Sequence, residues 1–256
     1  MTLKTENGWH IGGIEVVIGL GDMTEGAADA YVIPQFAKAV SEGGVAAAVA
    51  RAGAELGAID EFAAILAREE TPLTFGRAFV VPSHGGKTNK LIHVVSVASG
   101  VENEFRTVVL SVGSALRAAV EEGMTSVVFP VLATGILRAL TDDQAARAMF
   151  AGVDRFVAAN PQVRLQMTVV AWGFPQVGPT PLYEALKNVL SSRSYADVLS
   201  EVGTQPIDPE RWQAEMNRDI KLGTSPLPPV GEPTDRRRRK NRGATQDDAS
   251  PLKNTP

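Results

Sequence analysis

Two glycine-containing loops are the residues of this chain best suited to chemistry. One follows the apolar run 127–132 and consists of small residues around Thr134 and Gly135. The other, residues 41–45, contains Gly43 and Gly44 and precedes an alanine-rich helical pattern. Between a buried strand and a helix N-terminus, such loops expose backbone N–H groups that can bind a phosphate. Either loop alone is also an ordinary strand-to-helix connection, but the two together indicate an anion or nucleotide site.

Alternating strands and helices must position these loops. The hydrophobic pattern predicts strands at 15–20, 30–33, 76–81, 90–97, 126–130 and 165–172, and helices at 44–56, 58–69, 104–122, 142–159 and 181–190. This alternation predicts an α/β fold with a sheet between layers of helices. Some strands adjoin with no helix between them, which indicates a mixed sheet. The turn residues at 82–89 favour a hairpin-like connection.

Beyond residue 190 the composition changes. Residues 195–202 and 209–220 are predicted to form two short amphipathic helices. From residue 224 onward, proline, glycine and charged residues, including the basic run 236–242, predict a disordered tail. The expected division is therefore a core domain at 1–190, a helical extension at 191–222 and a tail at 223–256. Such a basic run is usually solvated, and nucleic-acid contact or nuclear import are the alternatives.

Composition restricts the functional classes. The chain has 256 residues, 44% hydrophobic content and no cysteine, which excludes disulfides, thiolate nucleophiles and cysteine zinc sites. No apolar run reaches the length of a membrane span and no signal peptide is apparent, so a cytoplasmic protein is expected. From Gly223 on, seven Lys or Arg stand against four Asp or Glu, so this segment carries about +3 and the rest about −7 of the total −4. A bound phosphate must then be held by local geometry.

Taken in order, four motifs resemble those of the macro domain family. They are residues 21–24 after the first strand, 29–32 at the second strand, 43–46 opening a helix, and 129–136. The resemblance extends over about residues 15–190. It implies a three-layer α/β/α sandwich with a mixed, mostly parallel central sheet. It also implies that ADP-ribose binds in a surface cleft.

The resemblance assigns roles within this cleft. Asp22 matches the residue that accepts a hydrogen bond from the adenine amine, and Phe174 lies where family members often place an aromatic over the adenine. The two glycine loops match the family's phosphate loops. The residues expected to bind the ligand are Asp22, Met23, Gln35, Phe36, Gly43, Gly44, Val45, Ala133, Thr134, Gly135, Ile136, Leu137 and Phe174. Alternatively, Asp22 serves as a turn or N-cap residue and Phe174 packs beside Trp172.

The chain also departs from the family pattern. Where members often read Asn-Ala-Ala-Asn, residues 33–36 are Ile-Pro-Gln-Phe. Phe36 matches the second asparagine, which is associated with the distal ribose and with hydrolysis, and a phenyl ring cannot orient a water. The second loop continues through Arg138, without the usual aromatic and glycine. No catalytic residue, cofactor or metal is therefore predicted, and the three dispersed histidines show no metal-site spacing, His93 being expected to be a strand histidine with a partner.

Three functions follow from these residues. The first is a binding module for ADP-ribose or a related NAD-derived nucleotide diphosphate, free or protein-linked, without hydrolysis. The second is a hydrolase that removes ADP-ribose from a protein or a small ester, with Gln35 or a water replacing the missing amide. The third is a structural or interaction protein whose cleft is vestigial and filled by Phe36 and Leu137. Oligomeric state is left open.

Overall fold

A seven-stranded mixed sheet forms the centre of the molecule. The computed structural model describes residues 2–37, 44–53, 58–69, 73–97, 104–134 and 140–196. The strands follow the spatial order β1-β2-β7-β6-β3-β5-β4. Their bounds are β1 Lys4–Ile11, β2 Ile14–Leu20, β3 Ala30–Phe36, β4 Ala78–Pro82, β5 Lys90–Val97, β6 Ser126–Pro130 and β7 Leu165–Ala171. The helices are α1 Gly44–Arg51, α2 Ala58–Arg68, α3 Glu104–Glu121, α4 Asp142–Ala159 and α5 Pro181–Ser192.

The five central strands run parallel, and each outer strand is antiparallel to its neighbour. The prediction of a mixed, mostly parallel sheet is therefore confirmed. The β4–β5 pair is the expected hairpin, and the Ser83 N–H donates to the Asn89 carbonyl across its base at 2.9 Å. The predicted strand at 76–81 is displaced, because β4 begins at Ala78 and includes Pro82.

Helices cover both faces of the sheet. Side chains alternate between faces along a strand, and the buried residues divide accordingly. Val32, Ile92 and Val94 join the core cluster that includes residues of α3, α4 and α5, whereas Tyr31 and Ile33 pack with Ala46 and Val49 of α1. Phe62 of α2 packs with Val95 in a third cluster on the same side as α1. This arrangement confirms the three-layer α/β/α fold.

Capping residues set several helix ends. The Thr141 side chain accepts from the Gln144 N–H while the Gln144 side chain accepts from the Thr141 N–H, which is a reciprocal capping box at the start of α4. The predicted extension of α1 to residue 56 is wrong, because the helix ends at Arg51. Gly53 follows with φ +82° and donates its N–H to the Ala50 carbonyl, which terminates the helix.

Strand β1 was not predicted from the sequence. Its residues are mostly exposed, and its pairing with β2 shifts register between Glu6 and Trp9, so neither alternation nor an apolar run marks it. At the other terminus, Tyr195 is buried in a turn against Phe150, with the ring centroids 6.1 Å apart. The predicted helices at 195–202 and 209–220 lie outside the described residues beyond Ala196, as does the tail at 223–256. Within the described ranges, no helix is both long and apolar enough to cross a membrane.

Candidate functional site

A cavity of about 1090 Å³ opens at the carboxyl edge of the parallel strands. The connections after β6 and β3 leave in opposite directions, since β6 leads through α4 to β7 on one side and β3 leads through α1 and α2 to β4 on the other. Pairing between β3 and β6 covers only the register pairs at Ala30 and Tyr31. Such a topological switch point is where open α/β sheets form ligand crevices. The described lining residues are Gly21, Asp22, Met23, Gly44, Val45, Ala47, Ala48, Arg51, Val131, Thr134, Leu140, Thr141, Asp142, Gln144, Val170, Trp172, Thr180, Pro181 and Leu182.

Asp22 lies on one wall and has the capping role that the sequence offered as the alternative. Its Oδ1 accepts from the Thr24 N–H at 3.0 Å and from Thr24 Oγ1 at 2.8 Å, which caps a short 3-10 helix, Met23–Glu25. No donor among the described residues reaches its Oδ2. One carboxylate oxygen thus holds the local fold, and the other is available at the cavity.

Gly21 brings Asp22 to this position. Its N–H donates to the Ala171 carbonyl at 3.1 Å, and its φ of +145° lies in a region that side chains rarely adopt. A Cβ at Gly21 would meet the Thr2 carbonyl oxygen at 2.5 Å. The Tyr31 hydroxyl donates to the Gly26 carbonyl at 2.7 Å. This hydrogen bond holds the segment between β2 and β3 against the sheet.

Helix α1 forms a second wall. Gly44 begins the helix with φ +56°, and a Cβ placed there meets nothing within 4 Å, so this position faces open space. The opposite face of the helix is anchored by Ala46 and Val49, both buried. The first predicted loop is therefore represented at the cavity by Gly44 and Val45, whereas Gly43 lies outside the described residues.

The second predicted loop begins in a tight turn. Ala133 has φ +62°, which costs a residue with a side chain roughly 1–2 kcal/mol. Thr134 Oγ1 donates to the Val131 carbonyl at 2.9 Å and closes the turn, and both Val131 and Thr134 line the cavity. Gly135, Ile136 and Leu137, as well as Arg138, lie outside the described residues.

The N-terminus of α4 also reaches the cavity. Leu140, Thr141, Asp142 and Gln144 line it. The neighbouring carboxylate, that of Asp143, points instead to Arg147 Nε at 2.9 Å. Both acidic residues lie in the first turn of α4, where their charges complement the helix dipole. Asp142 additionally puts a negative charge at the cavity wall, where it opposes a bound anion.

The aromatic residue at the cavity is Trp172. Its side chain lines the cavity and is 66% exposed, whereas Phe174 is 46% exposed and does not line it. The two rings make an edge-to-face contact with their centroids 5.3 Å apart. Phe174 thus packs beside Trp172, as in the alternative interpretation. The signal for Trp172 was present, since a large aromatic side chain immediately follows a buried strand at the ligand edge.

Gln35 and Phe36 do not line the cavity. Gln35 is fully buried, and its Nε2 lies 2.8 Å from Nδ1 of His93, whose ring stacks on Phe62 with centroids 4.8 Å apart. Burial lowers the pKa of His93 to about 4, so the imidazole is neutral at physiological pH. Phe36 is half-buried at the end of β3, opposite Val97. Nε2 of His93, the second ring nitrogen, has no hydrogen-bond partner among the described residues.

No set of three or more histidine or carboxylate side chains within the described ranges is arranged to hold a metal ion. The charged side chains at the cavity among these residues are those of Asp22, Asp142 and Arg51. The arrangement suits recognition of a polar ligand by backbone groups and a few side chains.

Comparison with known proteins identifies relatives. The family model described as Macro domain matches residues 37–149. An uncharacterized protein of Pyrobaculum aerophilum is 32% identical over 165 residues, which cover 64% of this chain and 88% of that protein. The Oceanobacillus iheyensis macrodomain solved with ADP is similar in structure, with TM-score 0.61, 18% identity and coverage of 75% of this chain and 98% of that one. The Trypanosoma brucei macrodomain in complex with ADP-ribose has TM-score 0.54, 18% identity and coverage of 67% and 68%. The chain therefore belongs to the macro domain family.

Proposed function

We propose that this protein is a binding module for ADP-ribose, or for a related NAD-derived nucleotide diphosphate, and that it does not hydrolyse its ligand. The observation that carries the proposal is that Asp22, the start of α1 and the Thr134 turn line the same cavity. The volume of about 1090 Å³ is ample for a nucleotide. Structural neighbours solved with ADP and with ADP-ribose support the same ligand class.

In the proposed pose, the nucleotide spans the cavity from Asp22 to the two loops. Oδ2 of Asp22 accepts a hydrogen bond from the adenine amine, a task for which an ionised carboxylate is suited because it only accepts. The exposed ring of Trp172 stacks on the base, with Phe174 supporting it from the side. The diphosphate lies against the backbone amides at Gly44, Val45 and Thr134, where glycine permits close approach.

The position of Gln35 supports binding without hydrolysis. In the hydrolase hypothesis this side chain replaces the asparagine of catalytic members. Its amide is instead buried beside His93 and is absent from the cavity lining. Phe36 is absent from the lining as well, so it does not fill the cleft as the vestigial hypothesis requires. We likewise propose that residues 1–190 form the binding unit and that 191–222 and 223–256 are extensions.

Isothermal titration calorimetry with ADP-ribose tests the proposal on the full chain, using a matched pair of substitutions. Asn and Asp have nearly the same shape, and both tolerate the positive φ of Gly44. They differ in charge and in the NH2 group that replaces one carboxylate oxygen in Asn. We expect Gly44→Asp to bind ADP-ribose about 2–3 kcal/mol more weakly than Gly44→Asn, because its carboxylate faces the diphosphate.

Three results would contradict this function. Absence of heat with wild-type protein, for both ADP-ribose and ADP, removes the binding module altogether. Equal affinities for Gly44→Asp and Gly44→Asn would mean that the diphosphate does not lie at the start of α1. Release of ADP-ribose from a modified protein by the wild type, lost in Gly44→Asp, would establish the hydrolase in place of the binder.

A further inference from the structure

The described side chains at the cavity carry an unusual balance of charge for an anion site. Two of them, Asp22 and Asp142, are carboxylates, and Arg51 is the cation. The chain outside its C-terminal segment carries a net negative charge of about −7, so its general field does not attract an anion. A nucleotide diphosphate that binds here must therefore gain favourable electrostatic interactions locally.

The geometry of α1 directs Arg51 toward the cavity. Ala47 and Ala48 each lie three or four residues from Gly44 and from Arg51, so the four residues share one face of the helix. All four line the cavity, while Val49 anchors the other face in the core. The small side chains on this face leave space at the cavity wall, and the long side chain of Arg51 lies at the C-terminal end of the helix. Seven residues of helix separate it from Gly44 by about 10 Å.

Arg51 has no ion-pair partner among the described residues. Five other described cations each have a carboxylate within 3 Å, namely Arg77 with Glu69, Lys87 with Glu25, Lys90 with Glu122, Arg147 with Asp143 and Lys187 with Glu6. The Arg51 guanidinium is exposed and faces the cavity, and no carboxylate in the part of the chain that the structure describes pairs with it. Among the described lining residues, it is thus the cation whose charge is available to a ligand.

We propose that Arg51 is a specificity-determining residue of this cavity, because its guanidinium supplies the positive charge that favours ligands with a diphosphate. The inference rests on the proposed nucleotide-binding function. The helical rise places the Cα of Arg51 about 10 Å from that of Gly44, where the phosphate is proposed to lie, so its contribution is Coulombic and falls with ionic strength. A role confined to the end of α1, where a cation complements the helix dipole, would affect stability and not binding.

The test is the salt dependence of ADP binding, measured by calorimetry on the full chain. The variants are Arg51→Gln, which removes the charge, and Arg51→Lys, which keeps it. The matched control is Arg68→Gln, because Arg68 also ends a helix and is exposed but does not line the cavity. At about 20 mM salt we expect Arg51→Gln to bind ADP roughly three- to tenfold more weakly than wild type. This deficit should shrink to less than about twofold at 300 mM salt.

Each outcome is decisive. A deficit that disappears at high salt, is largely restored by Arg51→Lys and is absent in Arg68→Gln supports the assignment. A deficit that persists unchanged at high salt indicates lost packing and overturns it, as does an equal deficit in Arg68→Gln or no deficit at all. Wild-type protein that fails to bind ADP and ADP-ribose refutes the proposed function itself. Wild-type binding that Arg51→Gln leaves unchanged refutes this inference alone.

Discussion

At the amino edge of the sheet, one oxygen of Asp29 accepts four hydrogen bonds from Thr125 and Ser126, at 2.7 to 3.2 Å. At the carboxyl edge, Asp22 accepts two hydrogen bonds at one oxygen and has no described partner at the other. The first arrangement ties the start of β3 to the start of β6, where the two strands pair. Beyond Tyr31 that pairing ends, and the cavity lies past it. The amino edge is closed, in that its carboxylate is held by hydrogen bonds between strands. The carboxyl edge is open, in that one oxygen of Asp22 has no described partner and a cavity lies beside it.

The difference shows how the fold separates stability from binding. Hydrogen bonds to a carboxylate stabilise the ionised form, and the Thr125 N–H in particular lowers the pKa of Asp29. Glu104, which begins α3 after the carboxyl end of β5, is in the opposite situation. It is 6% exposed, its Oε2 has no partner among the described residues, and burial raises its pKa to about 7. An unmatched polar group of this kind reduces stability.

The largest expected effect comes from breaking the closed edge. Asp29→Ala leaves the N–H and hydroxyl donors of Thr125 and Ser126 without their shared acceptor. We expect the free energy of unfolding at pH 7 to fall by about 2–4 kcal/mol, because several charge-assisted hydrogen bonds are lost together. Urea denaturation measures this change. The conservative variant Asp29→Asn should lose less, since its amide oxygen still accepts, and equal loss in both variants would contradict the account.

A change at the open edge should instead affect binding. In Asp22→Asn the amide oxygen can still accept from the Thr24 N–H, so the cap of the 3-10 helix is retained. The amide nitrogen then replaces Oδ2 and faces the adenine amine, donor against donor. We expect ADP-ribose to bind about 1–3 kcal/mol more weakly, with unfolding changed by less than about 1 kcal/mol. A calorimetric titration beside a urea curve checks both, and unchanged affinity would remove Asp22 from adenine recognition.

The fold was predictable because its buried strands are short apolar runs separated by helical patterns. Strands such as β6 and β5 are apolar enough to be located within a residue of their ends. Strand β1 escaped prediction because it is an exposed edge strand with a bulge, and its pairing partner supplies the apolar face. The end of α1 was misplaced because alanine continues the helical pattern past the glycine at residue 53 that stops it.

The site was less predictable, because which side chains meet depends on tertiary packing. Asp22, Gly44 and Thr134 do line one cavity, as their motif positions suggest. Gln35 could not be assigned correctly from sequence, since its burial depends on His93, which lies 58 residues away on another strand. The same holds for Arg51. Its direction follows from which face of α1 packs on the sheet, and a position in the last turn of a helix does not reveal that face.

The pH dependence of the free energy of unfolding should also distinguish the two edges, with a smaller effect than the substitutions described above. Because the folded-state pKa of Glu104 is raised to about 7 from an ordinary value of 4.5, the folded protein holds a proton that the unfolded chain releases. Its contribution to stability is therefore lost as pH rises from about 4.5 through 7. Asp29 has the opposite sign, since a lowered pKa contributes stability at neutral pH that is lost as pH falls through the folded-state value.

Glu104→Gln removes the first dependence, because glutamine does not titrate. We expect this variant to gain about 1–2 kcal/mol relative to wild type between pH 4 and pH 8, measured as the change in their difference in unfolding free energy. Any fixed cost of burying the amide cancels in that comparison. Asp29→Asn should show the reverse trend at lower pH, falling further behind wild type as pH rises to about 5, because the pKa of Asp29 is lowered from an ordinary value of 3.8. A difference between wild type and Glu104→Gln that stays constant from pH 4 to pH 8 would mean that Glu104 is solvated or paired in solution, and the two edges would then not differ in how they hold their carboxylates.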